Sequence, residues 1–274
     1  MTSDDESSVR PALLRAKMIQ LLRRVPLVGS ALRWYARKYV EGSVVTIKSG
    51  YARGLRWRRH HKYVSGYWLG QYELTMQRVL VRKLRPGSVF FDVGAHGGFF
   101  TVIAASRVGP AGKCVAFDPD QENITSIREQ CDLNGFSSVV VVNAAISDVV
   151  GRGWFARSHP GAATGHLSER SAGEESIDVA TTTLDAAAAV YGVPSVVKID
   201  IEGGETRALK GAARLLMEHR PMWLVEIHDP ASEADVNAIF LAARYGLSSL
   251  NGKGLSDDAM FPKHILAHPE EKCD

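Results

Sequence analysis

The sequence predicts an α/β protein with a doubly wound, mostly parallel sheet, an antiparallel C-terminal edge and a basic helical cap at the N-terminus. Three observations carry this prediction. From Ser88 onward, short apolar β-prone runs alternate with helical stretches, the pattern of a parallel sheet covered by helices on both faces. The stretch VFFDVGAHGGFFT (residues 89–101) reads as a buried strand, a glycine-rich turn and a helix in immediate succession. The charge is divided unevenly: fourteen Lys and Arg but one acid, Glu41, lie between Val9 and Lys62, whereas nineteen basic and twenty-six acidic residues follow from Tyr63.

Residues 1–8 are acidic and polar, which predicts a disordered tail and excludes a secretory signal. Residues 9–84 form the cap and residues 85–274 the main domain. In the cap, Leu14, Met18, Leu21 and Val25 have helical spacing, and Pro26 ends that helix. Val28, Leu32, Tyr35 and Tyr39 repeat the spacing in a second helix. Both helices carry Arg and Lys on their other faces. Such helices lie on an anionic membrane surface or pack their apolar stripe on their own domain. Val44–Ile47 reads as a short strand. Leu55–Tyr67 mixes aromatic and basic residues, a composition that suits single-stranded nucleic acid or sugar rings equally. Neighbouring His60 and His61 are expected to point apart and so to form no metal motif. Tyr72–Leu84 is a helix leading into the main domain.

The main domain predicts strands at Val89–Val93, Lys113–Phe117, Val139–Asn143, Val196–Asp200 and Met222–Ile227. The intervening helices are Phe99–Val108, Gln121–Asn134, Leu184–Tyr191, Glu205–Met217 and Ser232–Ala243. Leu247–Leu250 and His264–Ala267 supply the antiparallel edge. Between Asp148 and Thr181 the alternation lapses. Trp154 and Phe155 suit one short strand, and His159–Gly173, rich in Gly, Ser and Ala, reads as a substrate loop. No apolar run approaches the roughly 20 residues of a membrane span. Three scattered cysteines without C-x-x-C exclude a disulfide framework and a zinc site and suit a reducing, cytoplasmic setting.

The glycine turn has the spacing G-x-x-G-G, not G-x-G-x-x-G. An acid, Asp92, closes the strand before it, where a phosphate would be repelled. Asp92 suits a ligand with cationic and hydroxylated parts, such as the ammonium, sulfonium and ribose of S-adenosylmethionine (SAM). Asp118 ends the next strand, 26 positions later, where an acid is placed to accept ribose hydroxyls. The motifs LGQYE (69–73), RPGSVFFDVGAHGGFFT (85–101), VAFDPD (115–120), NAAISD (143–148), TTLD (182–185), KIDIEGGE (198–205) and LVEIH (224–228) follow in order over about 160 residues. Together they resemble the FkbM family of class I SAM-dependent methyltransferases. That resemblance implies a Rossmann-like fold, with SAM contacts at Glu73, Asp92, Gly94, Ala95, His96, Gly98, Thr101, Asp118, Pro119, Asn143, Ala144 and Asp200. Two positions depart from the family pattern: His96 stands where Asn is usual, and Asp118 where Glu is usual.

Methyl transfer to an alcohol is an in-line displacement that needs an aligned acceptor and a group to take its proton. His228, Asp200 and Lys198 are the catalytic candidates, with His228 as base because an unperturbed imidazole titrates near neutrality. Alternatively Asp200, Glu202 and Glu226 hold Mg²⁺, which prefers oxygen ligands. The alternative for Lys198 and Glu226 is a buried cross-strand ion pair that only joins two strands. The acceptor implied by the resemblance is a hydroxyl on a sugar of a glycolipid, glycoside or secondary metabolite, free or lipid-linked. Peripheral membrane contact would run through the basic helices, and no nucleic-acid partner is expected. An N-methyltransferase is disfavoured by the absence of a D/N-P-P-Y/F motif. The remaining alternative is a membrane- or nucleic-acid-binding module on a degenerate fold.

Overall fold

The computed structural model of the chain describes residues 39–63, 66–157, 165–168, 176–252, 255 and 263–270. The N-terminal tail and most of the two cap helices lie outside the described residues. The described part of the cap begins with an antiparallel hairpin, β1 (Val44–Thr46) and β2 (Arg56–Arg58), and continues to helix α1 (Leu74–Lys83). His60 and His61 do not diverge as expected. Both turn to Glu41, at 2.8 and 3.1 Å, because the carboxylate sits between them and offers one oxygen to each ring.

The main sheet contains β3 (Val89–Val93), β4 (Lys113–Phe117), β5 (Val139–Val142), β10 (Val196–Ile199), β11 (Met222–Ile227), β12 (Tyr245–Ser248) and β13 (Lys263–Pro269). Its order is β12-β13-β11-β10-β3-β4-β5, with β13 antiparallel to both its neighbours. The order reverses between β3 and β10, and such a switch point opens a crevice at the carboxyl ends of the strands. Helices α2 (Phe99–Val108), α3 (Gln121–Asn134), α4 (Leu184–Tyr191), α5 (Glu205–Lys210) and α6 (Pro230–Ala242) fill the connections. Several start on side-chain caps: Asp120, Thr183 and Asp229 accept from the amides of Glu122, Ala186 and Ser232. Helix α5 is shorter than the spacing predicts. At Gly211 the chain presses on Ser147, whose carbonyl oxygen would lie 2.2 Å from a Cβ, and the helix gives way to a π-helical turn at Leu215–His219.

Residues 145–182 hold a second sheet that the sequence does not reveal. Its strands β6 (Ala145–Ile146), β7 (Gly151–Arg157), β8 (Gly165–Ser168) and β9 (Ser176–Thr182) pair in the order β6-β9-β7-β8. The expected loop His159–Gly173 therefore contains a strand; its flanks, 158–164 and 169–175, lie outside the described residues. The glycine, serine and alanine content hides these strands, and cross-strand pairs such as Phe155 with Ile177 and Leu167 secure them.

Two buried apolar clusters flank the main sheet, one per face. Phe90, Val196 and Leu224 belong to one, Phe91, Val197 and Val225 to the other. The first also takes Ile47, Trp57 and Met76, so a single packed layer joins the hairpin and α1 to α2 and β3.

Candidate active site

The strand-end acids sit on the face that carries the first cluster. Strand alternation puts Asp92 with Phe90, Lys198 with Val196, and Glu226 with Leu224. Lys198 lies opposite Asp92 in the parallel β3–β10 register. Its ammonium is 3.5 Å from Asp92, 3.2 Å from Asp200 and 3.3 Å from the Gly94 carbonyl. Burial opposes its charge, but Asp200 and Asp92 outweigh that and raise its pKa. The expected Lys198–Glu226 ion pair does not form, because the register sets Lys198 against Leu224.

Asp92 also accepts a 2.6 Å hydrogen bond from Thr101. Asp92 and Thr101 have no exposed surface and brace the glycine loop from beneath. Four of the loop amides are also committed. Gly94 and Ala95 donate to the Phe117 carbonyl, His96 to the Asp118 carboxylate and Gly98 to Ala95. Gly94 has φ 75°, and a Cβ there would meet the Asp200 carbonyl oxygen at 1.9 Å. Its glycine therefore allows close contact between the two central strand ends.

Asp118 is 5% exposed and takes three N–H donors: His96 N at 2.9 Å, Asp120 N at 2.9 Å and Asn123 Nδ2 at 3.0 Å. A carboxylate has about four acceptor positions, so one remains for a ribose hydroxyl. Burial pushes its carboxyl up to about 7 against these donors. Tyr63 donates to Asn123 and so ties the cap to Asp118. Arg157 of β7 and Lys62 reach Asp120 at 3.1 and 3.7 Å, clamping the same loop from two sides. Asn143 donates to the carbonyls of Asp118 and Pro119, beside buried Ala144. Nδ1 of His96 shares a 2.7 Å hydrogen bond with the Tyr67 hydroxyl, and burial lowers the ring to about 4, so it is neutral.

Beyond Asp200 the site becomes crowded with charge. Nδ1 of His228 is 2.8 Å from Glu205. Its Nε2 faces Asp200 at 3.5 Å, Glu202 at 3.6 Å and Glu226 at 4.0 Å. Burial opposes protonation, but the Glu205 hydrogen bond, Asp200 and Glu202 raise His228 to about 9. These carboxylates therefore favour the imidazolium form of His228 near neutral pH. Asp200 is held below the usual carboxylate range: burial works against the ion, and Lys198 and His228 prevail. Glu202 moves the other way, raised by burial and by the neighbouring carboxylates. On the far side, Nε2 of His264 lies 3.3 Å from Glu226 and 3.6 Å from Glu73, and these two carboxylates raise it to about 10 against burial.

Glu205 is given no role by the sequence, and His264 is not among the expected site residues. Glu205 could be suspected from its place in KIDIEGGE; its Oε1 also accepts from Gly203 N, which fixes the turn after β10. His264 carries no local signal, since only the β11–β13 register brings it opposite Glu226. The expected oxygen-only set Asp200, Glu202 and Glu226 does not form. Among the described residues Asp200 and Glu226 converge with His228, because Glu202 lies past the strand end on the turn. Three non-glycine residues here, Glu73, His96 and Glu202, have positive φ of 42°, 52° and 55°. Backbone strain of this kind costs about 1–3 kcal/mol per residue and gathers at functional sites.

A family model for the "Methyltransferase FkbM domain" matches residues 92–252. The hexuronic acid methyltransferase AglP of Haloferax volcanii is 27% identical over 169 residues, covering 61% of this chain and 67% of that protein. A crystal structure of a methyltransferase FkbM from Methylobacillus flagellatus aligns at 17% identity and TM-score 0.46, covering 74% of this chain and 52% of that one. An O-methyltransferase structure from Thermotoga maritima aligns at 10% identity and TM-score 0.42, covering 73% and 66%. The matched family region contains the glycine loop, Asp118, KIDIEGGE and LVEIH, all on the crevice described above. The chain belongs to the FkbM methyltransferase family.

Proposed function

We propose that the chain is a SAM-dependent O-methyltransferase acting on a sugar hydroxyl of a glycolipid, glycoside or secondary metabolite. The observation that carries the donor assignment is the polarity of the crevice. Four of its loop amides are bonded within the protein, and the carboxylates around it offer acceptors: Asp200, Glu202, Glu226 and one position on Asp118. Six carboxyl groups (Glu73, Asp92, Asp200, Glu202, Glu205, Glu226) face three basic groups (Lys198, His228, His264). That lining fits an ammonium and a sulfonium and repels a phosphate. Asp118 and Asn143 would hold the ribose and adenine end, and Asp200 the cationic end. When bound, SAM supplies a methyl group already activated on sulfur.

The Haloferax volcanii relative's named activity on a hexuronic acid supports a sugar acceptor. A hexuronic acid offers both hydroxyls and a carboxylate. The carboxylate excess of this crevice favours the neutral hydroxyl.

The chain's own groups must receive the hydroxyl proton. Glu205 fixes the His228 ring through Nδ1 and turns Nε2 toward Asp200. The imidazole already carries a proton there, so it first passes its Nε2 proton to Glu202, whose carboxyl is raised and whose Oε2 lies 3.6 Å away, and then takes the hydroxyl proton. Lys198 keeps Asp200 ionised and placed. Incubation with labelled SAM and sugar-containing lipid or metabolite extracts, followed by mass analysis, tests the assignment. A methylated sugar oxygen is expected. Turnover should fall on the order of 10²-fold in His228→Ala with SAM affinity unchanged. Methylation of nitrogen, or no SAM binding in calorimetry, overturns it.

The basic segment before Lys62 supports a lipid-linked acceptor through attraction to anionic headgroups, screened beyond about 8 Å at physiological salt. Liposome sedimentation at low and high salt tests this; salt-independent or absent pelleting removes the membrane role.

A further inference from the structure

Glu73, Glu226 and His264 come together from three distant parts of the chain. Glu226 and His264 are direct partners across β11 and β13, and Glu73 stands at the residue before α1. Their ligating atoms all lie within 4.8 Å of one another. Glu73 Oε2 and His264 Nε2 are buried atoms without a hydrogen-bond partner. Glu73 occupies the helix-cap position in a left-handed conformation, yet its side chain makes no capping bond. The strain therefore serves to direct the carboxylate at the sheet. None of the catalytic roles proposed above uses Glu73 or His264.

We propose that Glu73, Glu226 and His264 bind a first-row divalent cation of the Mn²⁺ or Zn²⁺ kind. Two carboxylates and an imidazole, which releases its Nε2 proton to solvent as the cation binds, make a mixed oxygen and nitrogen set. Mg²⁺ prefers oxygen alone, whereas Mn²⁺ and Zn²⁺ accept imidazole. Glu226 gives the set a second property. Its Oε2 faces His264 and its Oε1 faces His228. The carboxylate can therefore bridge to the neighbouring set of Asp200, Glu226 and His228, which has the same donor mixture. A cation held by Glu73 and His264 then lies one carboxylate away from the proposed proton acceptor. There it would offset the surplus negative charge and present a Lewis-acid position to sugar oxygens. The cation site stands on its own geometry; its part in the reaction rests on the proposed function.

The test uses the full chain, stripped with EDTA and titrated separately with Mn²⁺, Zn²⁺ and Mg²⁺. Calorimetry follows all three, and electron paramagnetic resonance follows Mn²⁺. Saturable binding of Mn²⁺ or Zn²⁺ that Mg²⁺ does not displace is expected. Glu73→Gln, which keeps the side chain's shape, and His264→Ala should each weaken it by at least roughly tenfold. SAM binding is measured on the same samples. Cation binding retained in a chain that binds no SAM still supports the site and counts only against the donor assignment. Wild-type chain that binds neither ion, or folded variants that bind as wild type does, would falsify the site and leave His264 as an ion partner of two glutamates.

Discussion

The two sides of the crevice are built on opposite terms. On the glycine-loop side, the amides of Gly94, Ala95, His96 and Gly98, the Asp118 carboxylate and the Asn143 amide have partners within the protein, and Asp92 Oδ1 is buried without a hydrogen bond. On the side of β10, β11 and β13, charges outnumber partners, and Glu73 Oε2, Glu205 Oε2 and His264 Nε2 are buried without hydrogen bonds. A saturated network is rigid and shaped before a ligand arrives. An unsaturated, like-charged cluster raises the free energy of the empty site, and a cation that enters relieves it. The first side is suited to hold a cofactor in one pose, the second to answer to charge. Lys198 joins them, through Asp92 on one side and Asp200 on the other.

The largest expected effect comes from breaking that joint. Lys198→Ala leaves two carboxylates in the sheet without their cation. Losing one partner of a buried pair costs about 3–5 kcal/mol, so chemical unfolding should show a loss of that order. A loss below roughly 1 kcal/mol would mean the two sides are stable independently. Next is Gly94→Ala, whose Cβ meets the Asp200 carbonyl and whose φ of 75° strains any L side chain. Destabilisation of roughly 2–3 kcal/mol is expected, together with weaker function on both sides. A folded variant that loses only SAM binding would show that the glycine faces the ligand instead.

Asp118→Ala should weaken SAM by about 1–3 kcal/mol in calorimetry. The same residue also makes opposite predictions for pH. Its folded pKa, about 7, lies above its ordinary 3.8. Its contribution to stability is full below about 4 and is lost as pH rises through 7. SAM affinity should move the other way, rising through the same window as the carboxylate ionises to accept ribose hydroxyls. Asp118→Asn should flatten both curves; an Asn variant that keeps the wild-type slope places the titrating group elsewhere. The smallest effect is expected from His96→Asn. The ring is neutral and bonded to Tyr67, and the contact to Asp118 uses the His96 backbone. Asn tolerates positive φ, so SAM affinity should change by less than about 0.5 kcal/mol. A larger loss would assign the imidazole itself to the cofactor.

The glycine-loop side is largely legible in the amino-acid sequence. Strand β3, the glycine turn, α2, β4 and the Asp118–Asp120 cap are consecutive in the chain, and local periodicity and capping chemistry are enough to order them. Even so, the sequence shows which residues gather there and not which way each one serves. Asp92 and Thr101 are fully buried beneath the loop, and the loop glycine presses on the end of a neighbouring strand.

Residue order alone dictates the alternating α/β pattern, the parallel core strands, the helix starts after Asp120 and Thr183, and the acids at the strand ends. Each of these is a property of a few adjacent residues. Long-range packing was needed for the second sheet, the pairing of Lys198, the charge on His228 and the meeting of Glu73, Glu226 and His264. The last three residues stand more than 150 and nearly 40 positions apart, and a one-residue slip of β13 would turn His264 to the other face. An electrostatic environment is a sum over neighbours in space, and the chain acquires those neighbours only when its strands pair.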